Sequence, residues 1–291
     1  MSLRAETGVA AGSPTIEVDG VTLAYDRQGA GPPVVCVSAI SHGARDFDAL
    51  AQRIGQRFEV IRLDWPGHGR SGDDAQPASA ARYGALLAGA LDQLGVSEPI
   101  LIGNSIGGAA SITAASILAA KGRPVRALVL CDSGGLGPVD ATITRFCNAF
   151  AGFFAAGERG AWWFKAAFAA YYRFLVLPQP AAADQRRRIV AAAYETAGVL
   201  RQAWQSFGRP EADQSAVLQG LGLPIWFAWA AQDRVLPLAF CKAAIEATPG
   251  ATLTTFTAGH AAFLEQPDAF AQAFLAFADT LGARRSPLQA A

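Results

Sequence analysis

The stretch Ile100-Leu-Ile-Gly-Asn-Ser105-Ile-Gly-Gly108 decides how this 291-residue chain is read. Pro99–Gly103 reads as a buried strand and Ile106–Ala120 as a helix, so Gly103-Asn104-Ser105-Ile106-Gly107 is a Gly-x-Ser-x-Gly turn between the two. A serine there sits on a sharp, strained bend with its hydroxyl exposed. Small residues at 103 and 107 let strand and helix approach closely. The helix start behind Ser105 offers free N–H groups and partial positive charge, which favour an oxyanion. The competing reading is a glycine-rich turn carrying a bystander serine.

Working outward, strand and helix patterns alternate on both sides, which predicts an α/β fold with a mostly parallel sheet covered by helices. Ile16–Val18 and Val21–Tyr25 flank Asp19-Gly20, a hairpin signal. Strands follow at Pro33–Val37, Phe58–Leu63 and Val125–Cys131, with helices at Ala44–Arg57 and Ala80–Leu94. The rhythm stops over residues 136–222, which show helical stretches and no convincing strand. It resumes with strand Pro224–Ala230, helix Pro237–Thr248, strand Ala251–Thr257 and helix Ala262–Leu281. The expected organisation is therefore an eight-stranded core in two parts, 1–135 and 223–291, with a helical insertion at 136–222. Residues 1–13 and the end from Ala283 read as loose tails.

Composition narrows the function classes. Apolar residues make up 52% and charged residues 16%, against about 25% charged in average soluble proteins. That excludes a disordered chain. Zero formal net charge gives no global footprint for nucleic acid. Cys36, Cys131, Cys147 and Cys241 have neither Cys-x-x-Cys nor zinc spacing and read as buried thiols. The first residues have no signal-peptide core, and Ala161–Leu177, broken by Lys165 and Arg173, is too short for a membrane span. A soluble, cytoplasmic protein is expected, acting on a small molecule.

A serine hydroxyl needs a base, and only three histidines exist. His260 follows the last strand, on the same carboxyl edge of the sheet as Ser105, and is preferred over His42 and His68. The imidazole in turn needs a carboxylate. Asp233, after the preceding strand, is preferred over Asp132 and Asp64, for which turn hydrogen bonding is the plainer role. The chain order is then Ser105, Asp233, His260.

With these motifs in this order, the chain resembles the α/β-hydrolase family, in the subset with a helical lid before the last two strands. The likeness runs from about Ile16 to Leu281. It includes Asp64-Trp-Pro-Gly-His-Gly-Arg-Ser71, similar to the family's Asp-x-x-Gly-x-Gly-x-Ser loop, the Gly103–Gly107 turn, Asp233-Arg-Val-Leu-Pro237 and Gly259-His260. One piece departs: Ser38-Ala39 stands where relatives carry His-Gly, and His42-Gly43 is displaced by four positions. The resemblance implies Ile40 and Ile106 as backbone oxyanion donors, and a lid over residues 136–222.

The resemblance implies a serine hydrolase cleaving a carboxylic ester or related acyl compound, without metal or organic cofactor. Two alternatives remain. Asn104–Gly108 and Gly134–Pro138 resemble carbon–carbon hydrolases of diketo acids, with Arg188 as the candidate carboxylate ligand, although Ala261 stands where those enzymes commonly have Trp. A non-catalytic small-molecule receptor on the same fold is the other. Half of the aromatic residues fall in 136–222. Phe146, Phe150, Trp162 and Trp163 are candidates to line a pocket for an apolar or aromatic acyl group, with Asn104 and Ser38 as polar candidates. Packing of the insertion onto the core is the competing role for the aromatics.

Overall fold

Strand residues along the chain alternate between two apolar layers, and both are buried. In a computed structural model, which describes residues 2–283, eight strands form one sheet: β1 (Thr15–Val18), β2 (Val21–Gln28), β3 (Pro33–Val37), β4 (Glu59–Leu63), β5 (Ile100–Asn104), β6 (Ala127–Cys131), β7 (Ile225–Ala230) and β8 (Thr252–Phe256). Their order is β1-β2-β4-β3-β5-β6-β7-β8. β2 runs antiparallel to β1 and β4, and every later pairing is parallel. Asp19 and Gly20 take positive φ (47° and 77°) in the two-residue hairpin between β1 and β2, as a primed turn requires.

The helices are α1 (Asp48–Ile54), α2 (Ala80–Gln93), α3 (Ile106–Ala120), α4 (Ala141–Glu158), α5 (Phe164–Tyr171), α6 (Ala183–Ala191), α7 (Ala193–Phe207), α8 (Ser215–Gly220), α9 (Leu238–Glu246), α10 (Ala262–Glu265) and α11 (Pro267–Ala283). Val35, Leu101, Leu128 and Phe227 face one layer with Leu87 of α2, Ile112 of α3 and Cys241 of α9. Val34, Ile102, Val129 and Trp226 face the other, with Leu50 of α1, Phe274 of α11 and Phe168 of α5. A sheet covered on both sides explains why the strands read as unbroken apolar runs. Helices α4 to α8 form the insertion between β6 and β7. No helix among the described residues is long and apolar enough to cross a membrane. All four cysteines are buried and unpaired.

Two expectations need correction, and a third falls largely outside the described residues. Residues before β1 are docked: Leu3–Glu6 forms a 3-10 turn, the Val9 N–H donates to Asp64 at 3.0 Å, and Thr7 O accepts from Arg45 N–H at 3.2 Å. Apart from Ala283, the C-terminal tail lies outside the described residues. The final helix is two, because Pro267 removes an N–H donor and starts α11.

Loops at the carboxyl edge are tied by buried polar groups. Asp64, fully buried after β4, accepts from the Val9, Ala44 and Arg70 N–H groups at 2.9–3.1 Å, joining three segments. Burial pushes its carboxyl above the usual range, against the pull of those donors. His68 accepts from the Ser41 N–H on Nε2 (2.6 Å) and donates from Nδ1 to Pro66 O (2.8 Å). Trp65 Nε1–H donates to Ser38 O (2.8 Å). The segment after β3, with Ser41 at φ +67°, is therefore pinned by the loop after β4.

Two outcomes follow from these contacts. A Cβ on Gly107 would stand 2.5 Å from Val37 O, a backbone atom at the crossing of α3 over the sheet. Gly107→Ala is expected to destabilise by about 1–3 kcal/mol, as overpacking does, read as a lowered midpoint in urea unfolding. His68, buried and held neutral, has its pKa lowered from 6.5 to about 4. The unfolded chain binds a proton in that window that the folded chain does not. Stability is therefore retained above about pH 6.5 and lost as pH falls toward about 4, by up to about 3 kcal/mol. His68→Gln should flatten this slope between about pH 7 and about pH 4.5, measured by urea unfolding at each pH.

Candidate active site

Ser105 sits between β5 and α3 at φ +56°, ψ −118°. For a residue with a Cβ this is a strained conformation, of order 1–3 kcal/mol. It persists because the surroundings fix it. The Ser105 N–H donates to Cys131 O (3.0 Å), and Ser105 O accepts from Gly108, Ala109 and Gly134 N–H groups at 3.0–3.3 Å. A side chain at Gly103 would collide with the Gly107 backbone, and one at Gly108 with Ser133. The bend thus presents the Ser105 side chain to a cavity above the carboxyl edge.

His260 follows β8 and opens on the same cavity. Its Nδ1 bonds Asp233 Oδ2 at 2.7 Å. Because a carboxylate only accepts, Nδ1 carries the proton and the neutral ring keeps a lone pair on Nε2. Asp233, buried in the loop after β7, is aimed by two further donors on Oδ1, the Val235 and Leu236 N–H groups at 2.8 and 3.0 Å. The His260 backbone is fixed on both sides: its N–H donates to Val176 O (2.7 Å) and its O accepts from Asn104 Nδ2 (2.9 Å). The Ser105 hydroxyl itself makes no hydrogen bond among the described residues.

The cavity has a volume of about 450 Å³. Its wall is mainly apolar, with Ile40, Leu136, Phe146, Leu200, Trp204 and Phe240 among the lining residues. Neither the Ile40 nor the Ile106 N–H has a protein acceptor among the described residues.

Several expected pocket residues lie elsewhere. Asn104 is fully buried and spends its amide on Cys131 O and His260 O, so it braces the loops instead of lining the cavity. Ser38 is fully buried behind Ala39 and Ile40, which do line it. Phe150 stacks on Trp204 at 4.4 Å, one layer behind the wall. Trp162 is 89% exposed and Trp163 packs near Phe153, away from the cavity. Of the four aromatic candidates only Phe146 lines it. Arg188 is paired with Asp184 and Glu6 and is not in the wall.

The other two histidines have different work. His68 is the loop tie described above. His42 does line the cavity, with Nδ1 bonded to Asp46 and Asp46 held by Gln185 Nε2 at 2.6 Å. Glu265 escaped the sequence reading. It is buried, accepts from the Gly259 N–H beside His260, and accepts from the Gln179 N–H of the insertion at 2.8 Å. Its signal was a carboxylate directly after the apolar run Ala261–Leu264. Burial pushes its carboxyl up despite these donors.

Known proteins share this architecture. The chain is 28% identical over 278 residues to the pimeloyl-[acyl-carrier protein] methyl ester esterase of Xanthomonas campestris pv. campestris, covering 88% of this chain and 98% of that one. It is 26% identical over 273 residues to the dihydrolipoyllysine-residue acetyltransferase component of the acetoin cleaving system of Cupriavidus necator, covering 91% of this chain and 68% of that one. Among solved structures, an esterase from Exiguobacterium antarcticum superposes with TM-score 0.77 at 18% identity, over 92% of this chain and 99% of that one. A family model described as alpha/beta hydrolase family matches residues 34–273, and the chain belongs to that family.

Proposed function

We propose that the protein is a serine hydrolase that cleaves a carboxylic ester or related acyl compound through an acyl-enzyme. The observation that carries this reading is the 2.7 Å His260–Asp233 bond on a histidine that opens, with Ser105, on one apolar cavity. Ser105 Oγ attacks the substrate carbonyl carbon while His260 Nε2 takes its proton. Asp233 holds the ring in the required tautomer and stabilises the imidazolium that forms. His260 then returns the proton to the leaving alkoxide, and water, activated by the same nitrogen, releases the acid.

The Ile40 and Ile106 N–H groups supply the oxyanion donors. Ile106 opens α3, whose dipole adds partial positive charge. Ile40 follows Ser38-Ala39, and the Trp65 and His68 bonds to this segment keep its backbone in place without the usual His-Gly. One such donor contributes about 2.7–4 kcal/mol to the transition state. Residues 136–222 serve as a lid whose α4 and α7 form the roof, between core segments 1–135 and 223–291. The apolar wall suits an apolar or aromatic acyl group.

Ser105→Ala is expected to abolish turnover of p-nitrophenyl esters and labelling by a fluorophosphonate probe; turnover retained in this variant overturns the assignment. An acyl-chain series of esters, run beside a vinylogous diketo acid, separates ester from carbon–carbon cleavage: consumption of the diketo acid alone would replace the first reading by the second.

A further inference from the structure

The mainly apolar wall of the chamber has one exception. Among the described lining residues Arg234 alone carries a fixed charge. It follows Asp233 in the loop after β7 and is exposed to solvent, which puts it at the mouth of the cavity and not in its depth. No group accepts a hydrogen bond from its guanidinium, and no carboxylate pairs with it, among the described residues. Arginines of the insertion are engaged by contrast: Arg188 with Asp184 and Glu6, Arg201 with Glu158, and Arg186 with Leu177 O.

The neighbouring acids are committed elsewhere. Asp233 is turned inward, to His260 and to the Val235 and Leu236 N–H groups. Asp140 and Asp213 adjoin the lining residues Val139 and Ala212 in sequence without lining the cavity themselves. Asp140 accepts from the Thr142 and Ile143 N–H groups at 2.8 and 2.9 Å, and Asp213 from the Ser215 and Gly137 N–H groups at 3.0 and 3.3 Å. The positive charge at the mouth thus has no counter-ion in contact among the described residues.

A cation beside low-dielectric walls draws anions toward the opening. The guanidinium fork matches a carboxylate with two parallel, charge-assisted bonds. An apolar chamber with a single cation at its mouth therefore fits a molecule that is hydrocarbon along its length and anionic at one end. We infer that Arg234 is a substrate-binding residue, holding the terminal carboxylate of an ester such as a monoester of a dicarboxylic acid. The hydrocarbon between that carboxylate and the scissile bond lies along the apolar wall. One guanidinium balances the single charge of a carboxylate, whereas a phosphate end brings nearly two. The inference rests on the proposed reading of Ser105 as the nucleophile and adds the class of substrate.

The test sets methyl monoesters of dicarboxylic acids, over a range of chain lengths, against methyl esters of equal length that end in a primary amide. A second pair of series carries the end group on the alcohol side. Hydrolysis is followed by alkali uptake at constant pH. At one chain length the carboxylate should raise kcat/KM about tenfold over the amide, chiefly through KM, and added salt should shrink the gain. In Arg234→Gln the ratio should fall to near unity, and in Arg234→Glu below it. Arg188→Gln, outside the wall, should keep the wild-type ratio. A ratio near unity at every length in the wild type, or one that survives in Arg234→Gln, overturns the inference. A phosphate end that gains more than the carboxylate overturns the choice of carboxylate. Ser105→Ala, titrated with the same esters by calorimetry, separates the two claims. Tighter binding of the carboxylate ester than of its amide partner supports the role of Arg234 whether or not Ser105 reacts, and equal binding refutes it. Turnover retained in that variant ends the nucleophile reading alone.

Discussion

The close crossing of β5 and α3 is the constraint on which the rest depends. Backbone-to-backbone contact at Gly103 and Gly107 leaves no room for side chains, and Ser105 must turn through a positive φ to join the two elements. The strain at Ser105 is held by the backbone bonds to β6 and the loop after it. Because the bend is fixed by sterics and by backbone bonds, and not by the serine side chain, the hydroxyl is left unengaged. A tight turn thereby leaves a free hydroxyl at the head of a helix dipole.

The insertion is part of this arrangement. Val176 O receives the His260 N–H, Gln179 N–H reaches Glu265, and Thr196 bonds Ser41 at 2.8 Å in the segment after β3. The helical segment thus touches the loop of His260 and the loop of Ile40 at once. Residues Tyr172–Val176 form a π-helical turn whose last residue makes the first of these ties, a local departure that helices often show near functional sites.

Much of this was legible in the sequence because the signals were steric or topological. All eight strands, the Gly-x-Ser-x-Gly bend and the pairing of Asp233 with His260 follow from runs, glycines and position on one sheet edge. Direction was not legible. Trp162 and Phe164 stand two residues apart in one aromatic cluster, yet one is almost fully exposed and the other fully buried. Composition records how apolar a helix is and not which way a ring points. Asn104 and Ser38 are polar and close to Ser105 in the fold, yet the Asn104 amide is taken by two buried backbone carbonyls and Ser38 is fully buried. The docked residues before β1 were missed for a related reason: their partner, the Asp64 carboxylate, lies far away in the chain.

The bond from His260 to Val176 bears on how such a protein can be remodelled. Exchanging the whole helical roof for that of a cousin, to change which molecules are accepted, would also take away the acceptor that seats the imidazole's own peptide group. Grafts that leave Tyr172–Gln179 in place and alter only α4 and α7 keep that seat intact while redrawing the chamber.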